Sequence, residues 1–137
     1  MRLLGMSERA LGLMVTRSEE REAFGRKLST RDTIRHQVAR ARIDIDQARL
    51  LTLAAAHSID QGGPKAAKSA VGMIKIVAPE VALRVIDQSM QVHGGAGLCQ
   101  DLPLAHMWAW ARALRLADGP DEVHLESLAR DVYAGRL

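Results

Sequence analysis

The segment DTIRHQVARARIDIDQARLLTLAAAHSID, residues 32–60, contains the clearest structural pattern in this 137-residue chain. Its mostly apolar stripe recurs in alternating steps of four and three residues, at Ile34, Val38, Ala41, Ile45, Ala48, Thr52, Ala55 and Ile59. This spacing places the stripe on one face of a long helix, and its heptad-like period is typical of bundles and coiled coils. Arg40/Asp44 and Arg42/Asp46 are spaced as i,i+4 ion pairs, which we expect on the solvent side.

Capping and helix-breaking residues predict where this helix begins and ends. Residues 29–32, Ser-Thr-Arg-Asp, fit a capping box, and the Gly-Gly-Pro run at 62–64 ends the helix. Similar patterns predict four more helices, over residues 2–19, 65–92, 102–116 and 120–134. The third of the five should be one kinked helix through Pro79, because its apolar period crosses the proline without a phase break.

These elements define the fold class as all-α. No stretch alternates apolar and polar residues convincingly enough to predict a strand. The simplest architecture is an antiparallel, up-and-down bundle of about five helices with a four-helix core. The composition is 47% hydrophobic but only 3% aromatic, so the core must be aliphatic.

Composition also excludes several function classes. Although the net charge is +3, acidic residues are mixed among the basic ones and no aromatic platform accompanies them, which argues against nucleic-acid binding. Cys99 is the only cysteine and the histidines are scattered, so we predict no metal site. Neither a signal peptide nor a membrane-spanning run is apparent. We therefore expect a soluble, cytoplasmic protein.

Three breaks between the helices contain the candidate site residues. In EREAFGRKL, residues 20–28, local rules predict a solvated turn with Phe24 packed into the core. In QVHGGAG, residues 91–97, the glycines either cap a helix or bring backbone N–H groups close to an anion. Gln100 stands where a dinucleotide fingerprint would need its last glycine, so that motif is excluded.

The third break, LADGPDEVH at residues 116–124, allows two interpretations of Asp118. A carboxylate before Gly-Pro can act as the N-cap of the last helix. It can also be placed there to accept a proton from a ligand, because a carboxylate in a dry pocket becomes a stronger base. Local rules favour the cap.

Taken together, REAFGRKL, QVHGGAG and LADGPDEVH resemble, in order and spacing, the C-terminal helical domain of the acyl-CoA dehydrogenases. These flavoproteins oxidise the α,β bond of acyl-CoA thioesters, and the resemblance covers nearly the whole chain. The third motif looks closest to a branch that is fused, in animals, to a phosphotransferase-like domain. The resemblance implies one helical domain over residues 1–137, without the N-terminal helical and middle β domains of such enzymes. The chain would then be a fragment, a separately encoded remnant or one domain of a larger enzyme.

The resemblance also implies residue roles. Asp118 matches the position of the carboxylate that removes the α-proton, although many members carry the longer Glu there, and Gly119 matches the glycine beside the thioester. Arg21 resembles the arginine that meets the FAD pyrophosphate, usually across a subunit interface. The remaining FAD-binding positions are implied for Gln91, Gly94, Gly95, Pro120 and Glu122.

The implied function is that of an oxidoreductase and flavoprotein of fatty acid metabolism. The α-proton of the acyl-CoA substrate would go to Asp118, and the hydride from its β-carbon would go to the flavin of FAD. Implied partners are an acyl-CoA substrate, an electron-transfer flavoprotein or similar acceptor, and further copies in a homodimer or homotetramer. The alternative is a catalytically inert helical module, derived from such an enzyme, that only oligomerises.

Overall fold

The computed structural model describes residues 1–137 and contains five α-helices. They are α1 (Arg2–Glu20), α2 (Asp32–Ala66), α3 (Lys68–His93), α4 (Leu104–Ala113) and α5 (Asp121–Tyr133). Helix α3 contacts each of the other four, so it is the central element of the bundle. The predicted all-α class is confirmed. No helix combines the length and the apolar character that a membrane crossing requires.

The core is aliphatic, as the composition predicts. Its largest fully buried side chains include Met14 of α1, Ile45 of α2, Ile86 of α3 and Leu104 of α4. On α2 the predicted stripe is buried at its centre but not at its end, where Ile59 is 40% exposed.

Asp44 departs from the prediction that it lies in solvent. It is buried against α3, where its Oδ2 accepts a hydrogen bond from Arg84 Nε at 3.0 Å. The Arg40–Asp44 and Arg42–Asp46 pairs both form, at 3.4 and 2.8 Å. The partner that explains the burial of Asp44 lies 40 residues away in sequence, so no pattern within α2 could reveal it.

The two ends of α2 differ in how well the sequence predicts them. The capping box at 29–32 is wrong: Arg31 precedes the helix and no side chain caps it. Residues Leu28–Thr30 form a 3-10 turn instead, in which the Thr30 hydroxyl donates to the Lys27 carbonyl at 2.7 Å. At the other end the backbone leaves helical geometry at Gly63, as predicted, although helical bonding continues to Ala66.

A small hairpin, which the sequence analysis does not predict, joins α1 to α2. Strands β1 (Glu22–Ala23) and β2 (Arg26–Lys27) pair antiparallel. The residues between them, Phe24 and Gly25, both have positive φ, at 52° and 75°, as a tight hairpin turn requires. Phe24 is 96% exposed, so the prediction that it packs in the core is wrong. Strands of two residues are too short to show an alternating pattern.

Helices α3, α4 and α5 follow the predicted order with shifted ends. Helix α3 continues through the buried Pro79 as one helix, which confirms the predicted continuity but not the predicted kink, whereas α4 ends at Ala113 rather than at residue 116. The buried residues of helix α5 are two acids, Asp121 and Asp131. Its apolar side chains Val123, Leu125 and Val132 are more than half exposed.

Candidate functional site

Asp118 lies in the loop that joins α4 to α5. Asp118 and Gly119 are both in the left-handed region, with φ of 56° and 100°. Pro120 occupies the N-cap position of α5, and no side chain caps that helix. The interpretation of Asp118 as an N-cap is therefore wrong. The residue is exposed, and no hydrogen bond or ion pair engages its carboxylate within the chain.

Asp118 borders a small cleft between α1, α3 and the loop. The cleft has a volume of about 130 Å³ and is lined by Leu3, Ile74, Lys75, Pro79, Leu114, Ala117 and Asp118. Most of this lining is apolar, and Lys75 and Asp118 supply its two charges. A carboxylate beside an apolar surface can approach a weakly acidic C–H group of a ligand that binds to that surface.

Charged side chains hold the loop from both sides. Lys75 Nζ donates to the Gly119 carbonyl at 3.0 Å and lies 3.5 Å from the Arg115 carbonyl. Arg115 Nε donates to Oδ2 of the buried Asp121 at 2.6 Å. The hydrogen bond to Asp121 raises the pKa of Arg115 above its ordinary value. Glu122, next to Asp121, remains exposed at the start of α5.

Lys75 is the residue of this region that sequence reasoning missed. It lies 44 residues before Gly119, so no local motif connects the two. One signal was present in the sequence, since Lys75 is the only basic residue between Ser69 and Leu83 on a helix that is otherwise largely apolar there. An isolated cation on such a surface usually has a specific partner.

The glycine-rich segment ends α3. Gly94 has a φ of 64° and its N–H bonds to the Gln91 carbonyl, so the C-cap interpretation is confirmed. Gln91, Gly94 and Gly95 are exposed, and a Cβ added at either glycine would meet no atom within 4 Å. Gly97 is different, because a Cβ there would lie 2.6 Å from the Met90 carbonyl oxygen. Within this segment, contacts inside the chain therefore require a glycine only at Gly97.

Arg21 follows the end of α1 in extended conformation. Its carbonyl accepts the N–H of Leu28 at 2.9 Å, while its guanidinium is exposed and makes no ion pair in the chain. No hydrogen bond or ion pair joins Arg21 to the glycine-rich segment or to the Asp118 loop.

The chain therefore brings together only part of the predicted site. Asp118, Gly119 and Pro120 are neighbours in the loop before α5, and Glu122 lies in the first turn of that helix. Gln91 follows Lys75, the anchor of that loop, by sixteen residues of continuous helix. At 1.5 Å per residue this separation is about 24 Å, so the glycine-rich segment lies far from Asp118.

Comparison with known proteins identifies the class. The model of the acyl-CoA dehydrogenase C-terminal domain matches residues 1–133. The chain belongs to the acyl-CoA dehydrogenase family and corresponds to its C-terminal helical domain.

Particular members of the family are similar over almost the whole chain. It is 55% identical over 130 residues to the probable acyl-CoA dehydrogenase FadE2 of Mycobacterium tuberculosis, and 52% identical over 130 residues to acyl-CoA dehydrogenase family member 11 of Rattus norvegicus. These matches cover 95% of this chain but only 32% and 17% of the relatives. A solved putative acyl-CoA dehydrogenase from Mycobacterium abscessus is 50% identical, with a TM-score of 0.97 over 100% of this chain and 34% of that one.

The family is FAD-dependent, and three exposed features of this chain have chemistry that suits parts of such a dinucleotide. The unpaired guanidinium of Arg21 suits a diphosphate. The open space beside Gly94 and Gly95 admits a close approach to the backbone. The first N–H groups of α5 have no backbone partner and favour an anion.

Proposed function

We propose that the chain is the C-terminal domain of an FAD-dependent acyl-CoA dehydrogenase, in which Asp118 removes the α-proton of an acyl-CoA thioester. The observation that carries this proposal is the state of the Asp118 carboxylate. It borders an apolar cleft in a left-handed loop, and no partner in the chain engages it. Family membership supplies the reaction class.

The residues of this chain act on the substrate side. The Asp118 carboxylate accepts the α-proton, and the electron pair of that C–H bond becomes the second bond between the α and β carbons. The β-hydrogen leaves with its own electron pair as a hydride, which the flavin of bound FAD can accept. Gly119 permits the left-handed backbone beside the thioester, and an acyl chain bound over the apolar cleft would shield the exposed carboxylate from water.

On the cofactor side, we propose that two groups of residues hold different parts of FAD. Arg21, Gln91, Gly94 and Gly95 would meet its diphosphate and adenosine half, and Pro120 and Glu122 would meet it at the head of α5. Because the chain spans about a third or less of its relatives, the rest of that pocket belongs to the remainder of the enzyme. Electrons would pass to an electron-transfer flavoprotein or similar acceptor.

The experiment replaces Asp118 in the complete dehydrogenase that carries this domain. We expect Asp118→Asn to slow flavin reduction by acyl-CoA by about 100- to 10,000-fold, because the amide cannot accept the proton. Asp118→Glu should retain much of the rate, since it keeps the carboxylate. Asp60→Asn, which changes an exposed acid on α2, is the matched control. Near-normal turnover of the Asp118→Asn enzyme would remove Asp118 as the base.

A second candidate function is a catalytically inert module that oligomerises as a homodimer or homotetramer. The exposed apolar residues of α2 favour it, since Ile43, Leu50 and Leu53 are each about half exposed or more. The purified chain distinguishes the two functions through its flavin absorbance and its mass by light scattering. A colourless oligomer supports the inert module, whereas a yellow chain that retains FAD counts against it.

A further inference from the structure

The loop between α4 and α5 has little backbone support of its own. The N–H of Ala117 still bonds to the Ala113 carbonyl at 3.0 Å, but from Asp118 to Glu122 no backbone N–H bonds to another backbone group. Asp118 also adopts a left-handed φ, which costs free energy in any residue with a side chain. Side chains from elsewhere must therefore keep this conformation.

Lys75 bridges the two sides of this loop. Its Nζ donates to the carbonyl of Gly119, which follows Asp118, and lies 3.5 Å from the carbonyl of Arg115, which precedes it. The Lys75 side chain is only 18% exposed. An ammonium has three donors, so one group can bind both carbonyls at once.

The Lys75 ammonium also lies near the carboxylate of Asp121. Lys75 Nζ is 4.0 Å from Asp121 Oδ1, a buried oxygen that has no hydrogen-bond partner. The other oxygen of Asp121, Oδ2, accepts a hydrogen bond from Arg115. The Asp121 carboxylate therefore lies between Lys75 and Arg115. Together the side chains of Lys75, Arg115 and Asp121 hold the loop on both sides of Asp118.

We propose that Lys75 is the positioning residue for the candidate base, and that it fixes Asp118 at the rim of the cleft by binding the carbonyls on both sides of it. This inference rests on the proposed function of Asp118. Lys75 touches the loop backbone and lines the same cleft, so its removal frees the backbone without removing the carboxylate.

The test uses Lys75→Met, which keeps the length of the side chain but removes its donors. In the isolated chain we expect faster hydrogen exchange at the Leu116 and Ala117 amides, measured by NMR, with the core of α3 unchanged. In the complete dehydrogenase we expect kcat for flavin reduction to fall about 10- to 100-fold, because a displaced base loses alignment with the α-carbon. The KM for acyl-CoA should stay within about twofold, a split that general destabilisation does not produce.

Two further variants separate the positioning role of Lys75 from a general effect of losing a lysine on α3. Lys68→Met removes an exposed lysine from the first turn of α3 and should leave exchange and kcat unchanged. Lys75→Arg retains donors for the two carbonyls and should recover part of the lost rate. A Lys75→Met enzyme with normal kcat, beside an inactive Asp118→Asn enzyme, overturns the positioning role and leaves the proposed function standing. If the Asp118→Asn enzyme is active, the proposed function fails and this inference fails with it.

Discussion

Two glycine-containing segments contact α3, namely the glycine-rich segment at its C-terminal end and the Asp118 loop between α4 and α5. Different kinds of contact hold these two breaks in place. At the glycine-rich segment, backbone packs against backbone, because Gly97 sits where a Cβ would lie 2.8 Å from the Met90 Cα. At the Asp118 loop, the contacts come from side chains, chiefly Lys75 and the Arg115–Asp121 pair. An added methyl group at Gly97 would disturb the first break, whereas the removal of one charge would loosen the second. The candidate base thus lies in the part of the molecule that single side chains control.

The largest expected effect on stability comes from Gly97→Ala. The added Cβ would overlap the Met90 backbone, which cannot move without shifting the last turns of α3. We expect the free energy of unfolding, measured with urea, to fall by about 1–3 kcal/mol.

Gly95→Ala is the matched control for that substitution, because a Cβ at Gly95 meets no atom within 4 Å. It should change the free energy of unfolding by less than about 0.5 kcal/mol. Equal losses in the two variants would contradict the assignment of the close backbone contact to Gly97.

A smaller effect is expected from Asp121→Asn, which weakens the side-chain contacts of the other break. The substitution removes the charge that pairs with Arg115, whose side chain is 35% exposed, so solvent compensates for part of the loss. We expect a decrease of about 1 kcal/mol in the free energy of unfolding.

Glu122→Gln is the control for Asp121→Asn, since it removes an exposed acid from the same first turn of α5. Combining Asp121→Asn with Arg115→Gln completes a double-mutant cycle. The effects of the two substitutions should not add, because both remove the same ion pair. Additive losses would show that the pair does not hold the loop.

The same contrast explains which parts of the molecule the sequence predicts. The apolar period of α2 and α3 extends over many turns, so the bundle and the passage through Pro79 could be predicted. The order of the three breaks was also readable, because glycine and proline interrupt helices locally. The contacts that hold these breaks in place could not be predicted, because their partners are distant in sequence. Lys75 meets Gly119 across 44 residues, and Asp44 meets Arg84 across 40.

Local rules were also wrong where several short-range structures compete. Ser29 and Asp32 fit a capping box, yet the chain forms a 3-10 turn there, in which Thr30 bonds to Lys27. Asp118 fits an N-cap, yet its left-handed backbone places Pro120 at that position instead. In both cases the sequence predicts the presence of a break, but tertiary contacts select its geometry.

The smallest expected effect comes from a charge cluster between α1 and α2, whose members are far more exposed than Asp121. Hydrogen bonds from Arg42, and then from Arg49, lower the pKa of Glu8 from its ordinary 4.5 to about 2. Because the pKa is lowered by folding, Glu8 stabilises the fold above its unfolded pKa, and this contribution is lost as the pH falls through the folded value.

We therefore expect the free energy of unfolding of the wild type to decrease relative to Glu8→Gln between about pH 5 and pH 2. The difference should stay below about 1 kcal/mol, because the Glu8 side chain is 36% exposed. Glu20→Gln, at the exposed end of α1, should keep the wild-type pH dependence. Parallel curves for the wild type and Glu8→Gln would mean that solvent screens this cluster completely. Charge pairs would then support the fold only where the carboxylate is buried, as it is in Asp121 at the start of α5, beside the loop of the candidate base.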